Sequence, residues 1–452
     1  MSDPVPEHDD RTGRGYPLPH RENTLNVDAD RLRDAVTKID ADITAVEVGL
    51  ASIDAVVTGL GDRVTAVAAS LAQVKQPAEI AGIPPVIDLP CDGPDCLPSG
   101  VVQGGSGKWV TRPSGLLTWA PAGTPPIDYD PVTGTWHGLL AEEMRTNLLL
   151  WSSGFGAAWS KFGAVTVTGD AVAAPDGTLT ADKIGFGAGT AGFYQNVTVT
   201  SGVTVTGSIW LRADTPTTVS LISNDTPSTG VVSKACGLTT TWRRFDVSRS
   251  TPNTTVNLQV SGPGTAVVIY AWGAQLEVGS SPTSYIPTAS SAVTRAADLN
   301  VLSLSRVDGW NATEGTLLLD FIPGARNNNW NRAVGLDDGT GNNVIHIVNR
   351  GNTASLYAAV IADGAAVADF QAFRGPDVLF ALQRVAIAWA ANDFGFSVNG
   401  GNTVTDLSGA VPLVTRITFG TSSVTRANGW LRRVTVFPRR LPNPTLPLLT
   451  AL

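Results

Sequence analysis

The residues of this chain best placed for chemistry are aromatic rings and planar amides. Within residues 326–332, RNNNWNR, stand Asn328, Trp330 and Arg332, and Asp337 and Asn342 follow after one short strand. A pyranose has an apolar face and a rim of hydroxyls. An aromatic ring suits the first, and amides, carboxylates and guanidinium groups suit the second. This set is therefore a candidate carbohydrate cradle. Trp430 after Ala427, Asn428 and Gly429 is another candidate, as are Trp159 and Tyr194. Each has a plainer alternative: Trp330 covering the edge of a turn-rich hairpin, and Trp430, Trp159 and Tyr194 filling cores. Trp272 and Trp389 lie inside strand patterns and read as core. Asp176 and Asp182 are the carboxylates offered for a structural calcium, on the thin ground of two acids in one loop.

Catalytic patterns are missing. Histidine occurs only at His8, His20, His137 and His346, and the last glutamate is Glu314. There is no Gly-x-Ser-x-Gly elbow, no His-Glu-x-x-His and no phosphate loop. Glycosidases need two carboxylates flanking the bond, and the neighbours Asp337 and Asp338 would face opposite sides of a strand. The expectation is a binding protein with no catalytic residues and no cofactor. A polysaccharide depolymerase and a purely structural fibre are the alternatives. Cys91 and Cys96 form either a small disulfide or a pair of free thiols, and their spacing fits no zinc pattern.

At 452 residues the chain is long enough for two to four folded units. Charged residues are only 15%, while Thr, Ser, Gly, Val and Ala abound, as suits turn-rich β-sheets. The net charge of −8 argues against nucleic acid. From Val301 onward, 12 Arg face 9 Asp and 1 Glu, so the acidity lies in the first two thirds. The Arg-rich end makes an acidic glycan a plausible ligand. No 18-residue apolar run occurs, so no membrane insertion is expected. Residues 1–24 do not read as a signal peptide, which suits synthesis in the cytoplasm and release by lysis.

The elements that must position these residues begin with a stalk. Heptad a positions fall at Ala29, Val36, Ile43, Leu50, Val57, Val64 and Leu71, and d positions at Leu25, Leu32, Ile39, Val46, Ile53, Leu60, Val67 and Val74. A strict 3.5-residue repeat specifies a left-handed coiled coil. Ile or Val fills five of eight d and four of seven a positions, and Gly49, Val56, Gly61, Ala68 and Ser70 occupy flanking sites. Branched side chains at both core positions favour more than two strands, so the expectation is a parallel homotrimer. Leu32 to Val74 would give a rod of about 65 Å.

Six prolines in residues 77–100 read as a semi-rigid spacer. Beyond it, short alternating runs such as Val197–Val205, Leu317–Phe321, Val385–Trp389 and Phe394–Val398 are separated by Gly, Asn, Asp and Pro clusters. This is the pattern of antiparallel β-sandwiches. The expected fold is an N-terminal trimeric coiled coil followed by all-β structure with two sandwiches. Its parts are a segment 1–31, the stalk 32–76, the linker 77–100, a connector 101–145, and sandwiches at 146–300 and 301–452.

Several stretches resemble a known family. Residues 127–147, IDYDPVTGTWHGLLAEEMRTN, look like a connector of phage tail-fibre proteins. Residues 272–288, WGAQLEVGSSPTSYIPT, with AVTRAAD at 292–298, resemble the closing motif of a jelly roll similar to carbohydrate-binding modules. ANDFGFSVNG at 391–400 and GWLRRVTVFPRRL at 429–441 resemble a concanavalin-A-like lectin domain, and GRGYPLPH at 13–20 resembles the virion-anchoring start of fibres of phages and gene transfer agents. The resemblance implies a virion protein, a tail or head fibre. It would join other tail or head proteins through its N-terminus and bind a capsule or lipopolysaccharide glycan of the host.

Overall fold

The computed structural model describes residues 29–50, 53, 57, 76–93, 96–97, 101–324, 330–350, 355–373, 380–420 and 428–452; at 102, 103, 330–332, 349, 350, 355, 372, 373 and 420 the backbone alone is described. The chain divides into two units, Met1–Gln76 and Pro77–Leu452.

In the first unit residues 29–50 are helical. The heptad spacing gives this helix one apolar stripe, and the stripe is bare: Leu32, Val36, Ile39, Ile43, Val46 and Leu50 are 44–64% exposed. Ile53 and Val57 continue it, at 62% and 61%. The anchoring segment up to residue 28 and the heptads from 58 to 74 lie outside the described residues.

The second unit is built of antiparallel sheets forming two sandwiches. In the first, the strands Arg243–Ser250, Thr204–Arg212, Val267–Val278, Ala181–Phe186 and Val165–Val172 form one sheet in that order. Val231–Leu238, Thr217–Thr226, Thr255–Ser261, Gly192–Thr198 and Ser160–Phe162 form the other. Alternation does the work that it should: Val205, Ile209, Leu211, Val256, Leu258 and Val260 all point into the shared core.

The second sandwich pairs an eight-stranded sheet with a seven-stranded one. Its core holds Leu317, Leu319, Phe321, Val385, Ile387, Trp389, Phe394 and Phe396 from one sheet, against Val334, Leu336, Ile345, Ile347, Ile417 and Phe419 from the other. The C-terminal helix Thr445–Thr450 lays Leu446 and Leu449 on the outer side of the first sheet, against Leu318, Ala386, Ala388 and Phe437.

The described strands within residues 77–145 correct the expected spacer and connector: Ile87–Pro90, Val102–Gly104, Ile127–Tyr129 and Trp136–Ala141 join the sheets of this second sandwich, and Lys108–Thr111 pairs with Leu117–Ala120 in a hairpin of its own. Ile87–Pro90 pairs antiparallel with Gly429–Phe437, and Ile87, Leu89, Cys91 and Cys96 enter the core. Pro90 closes its strand, where a missing N–H is tolerated. Val102–Gly104 joins the seven-stranded sheet, and Ile127–Tyr129 and Trp136–Ala141 extend the eight-stranded one. The first sandwich is therefore an insertion. The chain leaves through Arg145–Asn147 and returns through Val293–Arg295, and these two strands pair with each other. Cys91 and Cys96 are buried free thiols, and a hydrogen bond with Cys96, aided by burial, pushes the Cys91 thiol up.

Candidate functional site

A cleft of about 350 Å³ opens where the two sandwiches meet residues 108–142. Three stretches of sequence build it. The hairpin of Lys108–Thr111 and Leu117–Ala120 brings Trp109, Thr111 and Leu117. The strands Ile127–Tyr129 and Trp136–Ala141 bring Asp128, Tyr129, His137 and Leu140. The first sandwich adds Trp210, Trp242, Arg244 and the run Pro282–Tyr285, and the second adds Phe380, Asn428 and Trp430. Its size lies within the usual range of ligand pockets, roughly 300–1,000 Å³.

Trp430 sits in the strand Gly429–Phe437 and faces Leu140 across one ladder and Ile322 across the other. Its ring lies 4.8 Å from that of His137 and 6.2 Å from that of Phe380. The indole Nε1 donates to Asp128 Oδ2 at 2.8 Å, and the Thr111 backbone N–H donates to Oδ1 at 2.6 Å. Asp128 is buried, and burial raises its carboxyl to about 6 against the pull of these two donors. Asp130 is held below the usual carboxylate range by the backbone N–H groups of Thr133 and Val132, although burial opposes them. His137 is pushed down by burial. Gly138, at φ +121°, lets this strand lie close: a Cβ there would stand 2.3 Å from the Leu431 carbonyl oxygen.

The opposite wall is fixed by guanidinium and carboxylate anchors. Arg244 lies over Trp210, 4.3 Å from the ring centre, and donates to Thr283 O at 2.6 Å and Ser208 Oγ at 2.9 Å. Glu277, fully buried, accepts from the backbone N–H and hydroxyl of Thr283 at 2.8 and 2.7 Å. Behind the cleft, Glu142 accepts from Lys108 at 3.1 Å, Ser284 N at 2.6 Å and Ser284 Oγ at 2.7 Å, with Arg295 at 3.4 Å. Lys108 also pairs with Asp298. All four charges are buried, and they come from the connector and both chain crossings. Despite burial, Arg295 and Lys108 hold the Glu142 carboxyl down at about 2. Three buried atoms in the cleft's residues, Trp109 Nε1, His137 Nδ1 and Arg244 Nε, have no protein partner.

Of the candidate sugar contacts named from sequence, Trp430 alone among the described residues lines this cleft. Asn328 lies outside the described residues, as do the side chains of Trp330 and Arg332. The backbone nonetheless separates that set: Trp330 pairs with Arg350, and Asp337 with Val344, at opposite ends of one hairpin. Seven residues of strand amount to about 23 Å, so Trp330 and the turn bearing Asn342 do not converge on one sugar. Asp337 is 1% exposed and is consumed by Arg416 Nε at 2.5 Å, Thr418 Oγ1 at 2.9 Å and the Gly339 N–H at 2.9 Å. It is structural, because a buried carboxylate must be paired. Asn342 is exposed in a turn, its N–H going to Thr340 Oγ1 and its carbonyl accepting the Gly364 N–H at 2.9 Å.

Trp159 is core, 2% exposed and packed edge-on to Phe155 and Phe193. Tyr194 is half-buried on the outer face of its sheet, beside Phe162 and in register with Gln259. Asp182, in the strand Ala181–Phe186, accepts the Phe155 and Asp170 N–H groups and so ties two other segments to that strand, and Asp176 accepts from Thr178 within its own turn. Among the described residues no group of three His, Cys, Asp or Glu stands close enough to hold a metal ion. The cleft residues missed from sequence, Trp109, Asp128, His137, Trp242 and Arg244, are all far from Trp430 in the chain. The signal for the first three is aromatic enrichment, with Trp109, Trp119, Tyr129 and Trp136 falling within residues 109–137; Trp242 and Arg244 carry none.

No family model and no curated protein matches the sequence. Among solved structures, the CBM40 of Ruminococcus gnavus IT-sialidase bound to α2,3-sialyllactose is similar over 31% of this chain and 84% of its own, at 16% identity and TM-score 0.27. A CBM4 module matches 26% of this chain and 86% of its own, at 23% identity and TM-score 0.23. TmCBM61 in complex with β-1,4-galactotriose matches 29% and 97%, at 18% identity and TM-score 0.23. At these scores the functional reading rests on the site itself.

Proposed function

We propose that this chain is a fibre or spike subunit of a phage-like particle. It attaches to the host by binding a surface polysaccharide in the cleft between its sandwiches. The observation that carries the reading is the cleft: Trp109, Trp210, Trp242 and Trp430 stand around a space of about 350 Å³ with Thr111, Asp128, Thr283, Ser284 and Asn428 among them. Flat rings interleaved with small polar groups are what a pyranose needs.

The bare heptad stripe from Leu32 to Val57 supports a parallel homotrimer. An apolar seam of this length, exposed among the described residues, is a surface to be covered. Three cleft-bearing heads on one stalk raise the effective concentration of each for a repeating polymer and can strengthen a weak contact by roughly 100-fold or more. The fibre resemblance of residues 13–20, 127–147 and 272–298 supports placement on a virion.

We read the cleft as binding without cleaving. Both oxygens of Asp128 already accept N–H donors, and Asp130, whose Oδ1 accepts two more, is displaced toward its ionised form, which suits neither to protonate a leaving oxygen. The depolymerase reading draws on the opposite displacement of these two acids, and it predicts reducing ends where binding alone predicts none. The test is titration of the full chain against purified surface polysaccharides of candidate hosts, with a reducing-end assay alongside. Saturable binding without new reducing ends is expected. Failure to bind any of them removes the attachment reading, and chain cleavage replaces it with the depolymerase.

A further inference from the structure

Among the described residues, the non-glycine positions at positive φ are Trp151, Phe380 and four Asp or Asn. Asp and Asn reach the left-handed region readily, and large side chains do not. Of the two aromatic residues, Phe380 lines the cleft. Its φ is +56° and its side chain is 66% exposed. Burial of the ring therefore offsets little of the strain, and glycine or asparagine would hold the same backbone with less of it. A strained position that keeps a large exposed ring at the mouth of a ligand cleft points to a use for that ring.

The fold sets this ring beside Trp430. The Phe380 N–H donates to Pro323 O at 2.9 Å, and the N–H of Gly324 donates to Asn428 O at 2.9 Å. Pro323 is in register with Gly429. The end of the strand Glu314–Pro323 thus positions both rings. Their centres are 6.2 Å apart and their planes are inclined at 52°. A sugar held between two rings needs about 3.5–4.0 Å on each side, roughly 7–8 Å in all, so the two rings are not jaws. They form one bent apolar surface, with Trp430 partly buried against Val110, Ala120 and Leu140 and Phe380 exposed at the rim.

We propose, on the reading above that the cleft binds a polysaccharide, that Phe380 is a second sugar-stacking residue and that the ligand is an extended segment of chain, with one ring on Trp430 and the next on Phe380. Successive pyranoses are turned against each other by their linkage, and two adjoining aromatic faces set at an angle suit that turn. Each contact removes apolar surface of sugar and side chain from water. A single sugar covers the Trp430 face alone. The second contact belongs to a ligand of at least two rings, and it is gained at the rim, where a long chain can leave the cleft without bending back.

The experiment is calorimetric titration of the full-length protein with purified capsule and lipopolysaccharide of candidate hosts, and with oligosaccharides cut from them by mild acid and sized from one ring upward. Wild type, Phe380→Gly, Phe380→Tyr and Trp430→Ala are compared, with urea denaturation of each. Wild-type affinity should climb in a step once a second ring is present. In Phe380→Gly that step should be absent and polysaccharide affinity should fall roughly three- to tenfold. Its stability should equal or exceed that of the wild type, because glycine accepts the left-handed backbone. Phe380→Tyr keeps the ring and should keep the step, and Trp430→Ala should lose binding at every length. An unchanged length dependence in Phe380→Gly overturns the inference, as does a loss of affinity matched by a loss of stability; where Trp430→Ala still abolishes binding, the cleft reading stands without Phe380. Binding that survives Trp430→Ala moves the site out of the cleft and overturns both. A wild type that binds none of the polysaccharides overturns the attachment reading and the inference with it.

Discussion

Asp128 and Trp430, 302 positions apart in the chain, are joined by a 2.8 Å hydrogen bond from the indole Nε1 to Oδ2. The other carboxylate oxygen takes the Thr111 N–H at 2.6 Å. One buried acid thus ties the hairpin after residue 107 to the last long strand of the molecule and sets the tilt of the ring that we assign to sugar. Asp128 is a positioning residue: its oxygens are spent on the wall.

This arrangement has a pH signature. The folded pKa of Asp128, about 6, lies above its ordinary 3.8. The folded state therefore holds the proton more tightly. Relative to neutral pH, the stability this gives is fully present below about 3.8 and is lost as pH rises through about 6. The whole effect is on the order of 3 kcal/mol. In Asp128→Asn this pH-dependent loss is absent. The stability difference between variant and wild type, from urea denaturation, should move in the variant's favour between pH 4 and pH 7. A constant difference would show that Asp128 titrates normally.

The buried quartet of Lys108, Glu142, Arg295 and Asp298 should behave as a unit. Lys108→Met strands Glu142 and Asp298, 2% and 8% exposed, and should cost about 3–5 kcal/mol in denaturation. Glu142, held at about 2, has a folded value below its ordinary 4.5. Its contribution is complete above about 4.5 and disappears as pH falls toward 2. In Glu142→Gln that acid limb of the wild-type stability profile should flatten.

How much of this was legible in the sequence depended on range. Val205, Ile209, Leu317, Ile387 and Phe396 belong to runs in which large apolar residues recur at every second position, and that local period revealed both sandwiches. Which strands pair is a long-range matter. Ile87–Pro90 meets Gly429–Phe437 across more than 300 residues, and six prolines nearby suggested a spacer, because proline reports on local stiffness and says nothing of distant partners. The site was hidden for the same reason. Trp430 was visible as an aromatic beside Asn428 and Gly429, but Asp128, His137 and Arg244 become its neighbours only once the first sandwich is inserted between them. Asp337 misled because an acid in a polar loop looks the same in sequence whether it faces water or Arg416.

Asp337 offers a clean contrast with the cleft. Asp337→Ala leaves Arg416, Thr418 and the Gly339 N–H without their acceptor, and should destabilise the fold by about 3–5 kcal/mol. Where the variant is folded, its affinity for polysaccharide should equal that of the wild type. Loss of affinity at full stability would return the hairpin to the binding surface.

The stalk is tested by mass. The intact chain should scatter light as close to three copies of 47.0 kDa. Ile43→Asp, in the middle of the exposed stripe, should yield monomers and weaken adhesion to a polymer by roughly 100-fold while sparing the affinity for a short oligosaccharide. An intact wild-type monomer would remove the trimer.

The most direct measurement is a crystal structure of the full chain with a bound oligosaccharide from a polysaccharide that it recognises. The account predicts a sugar ring within about 4.5 Å of the Trp430 indole, between the two sandwiches. A ring seated instead beside Tyr194 on the outer sheet, or at the turn of Asp338–Asn343, with nothing against Trp430, would contradict it.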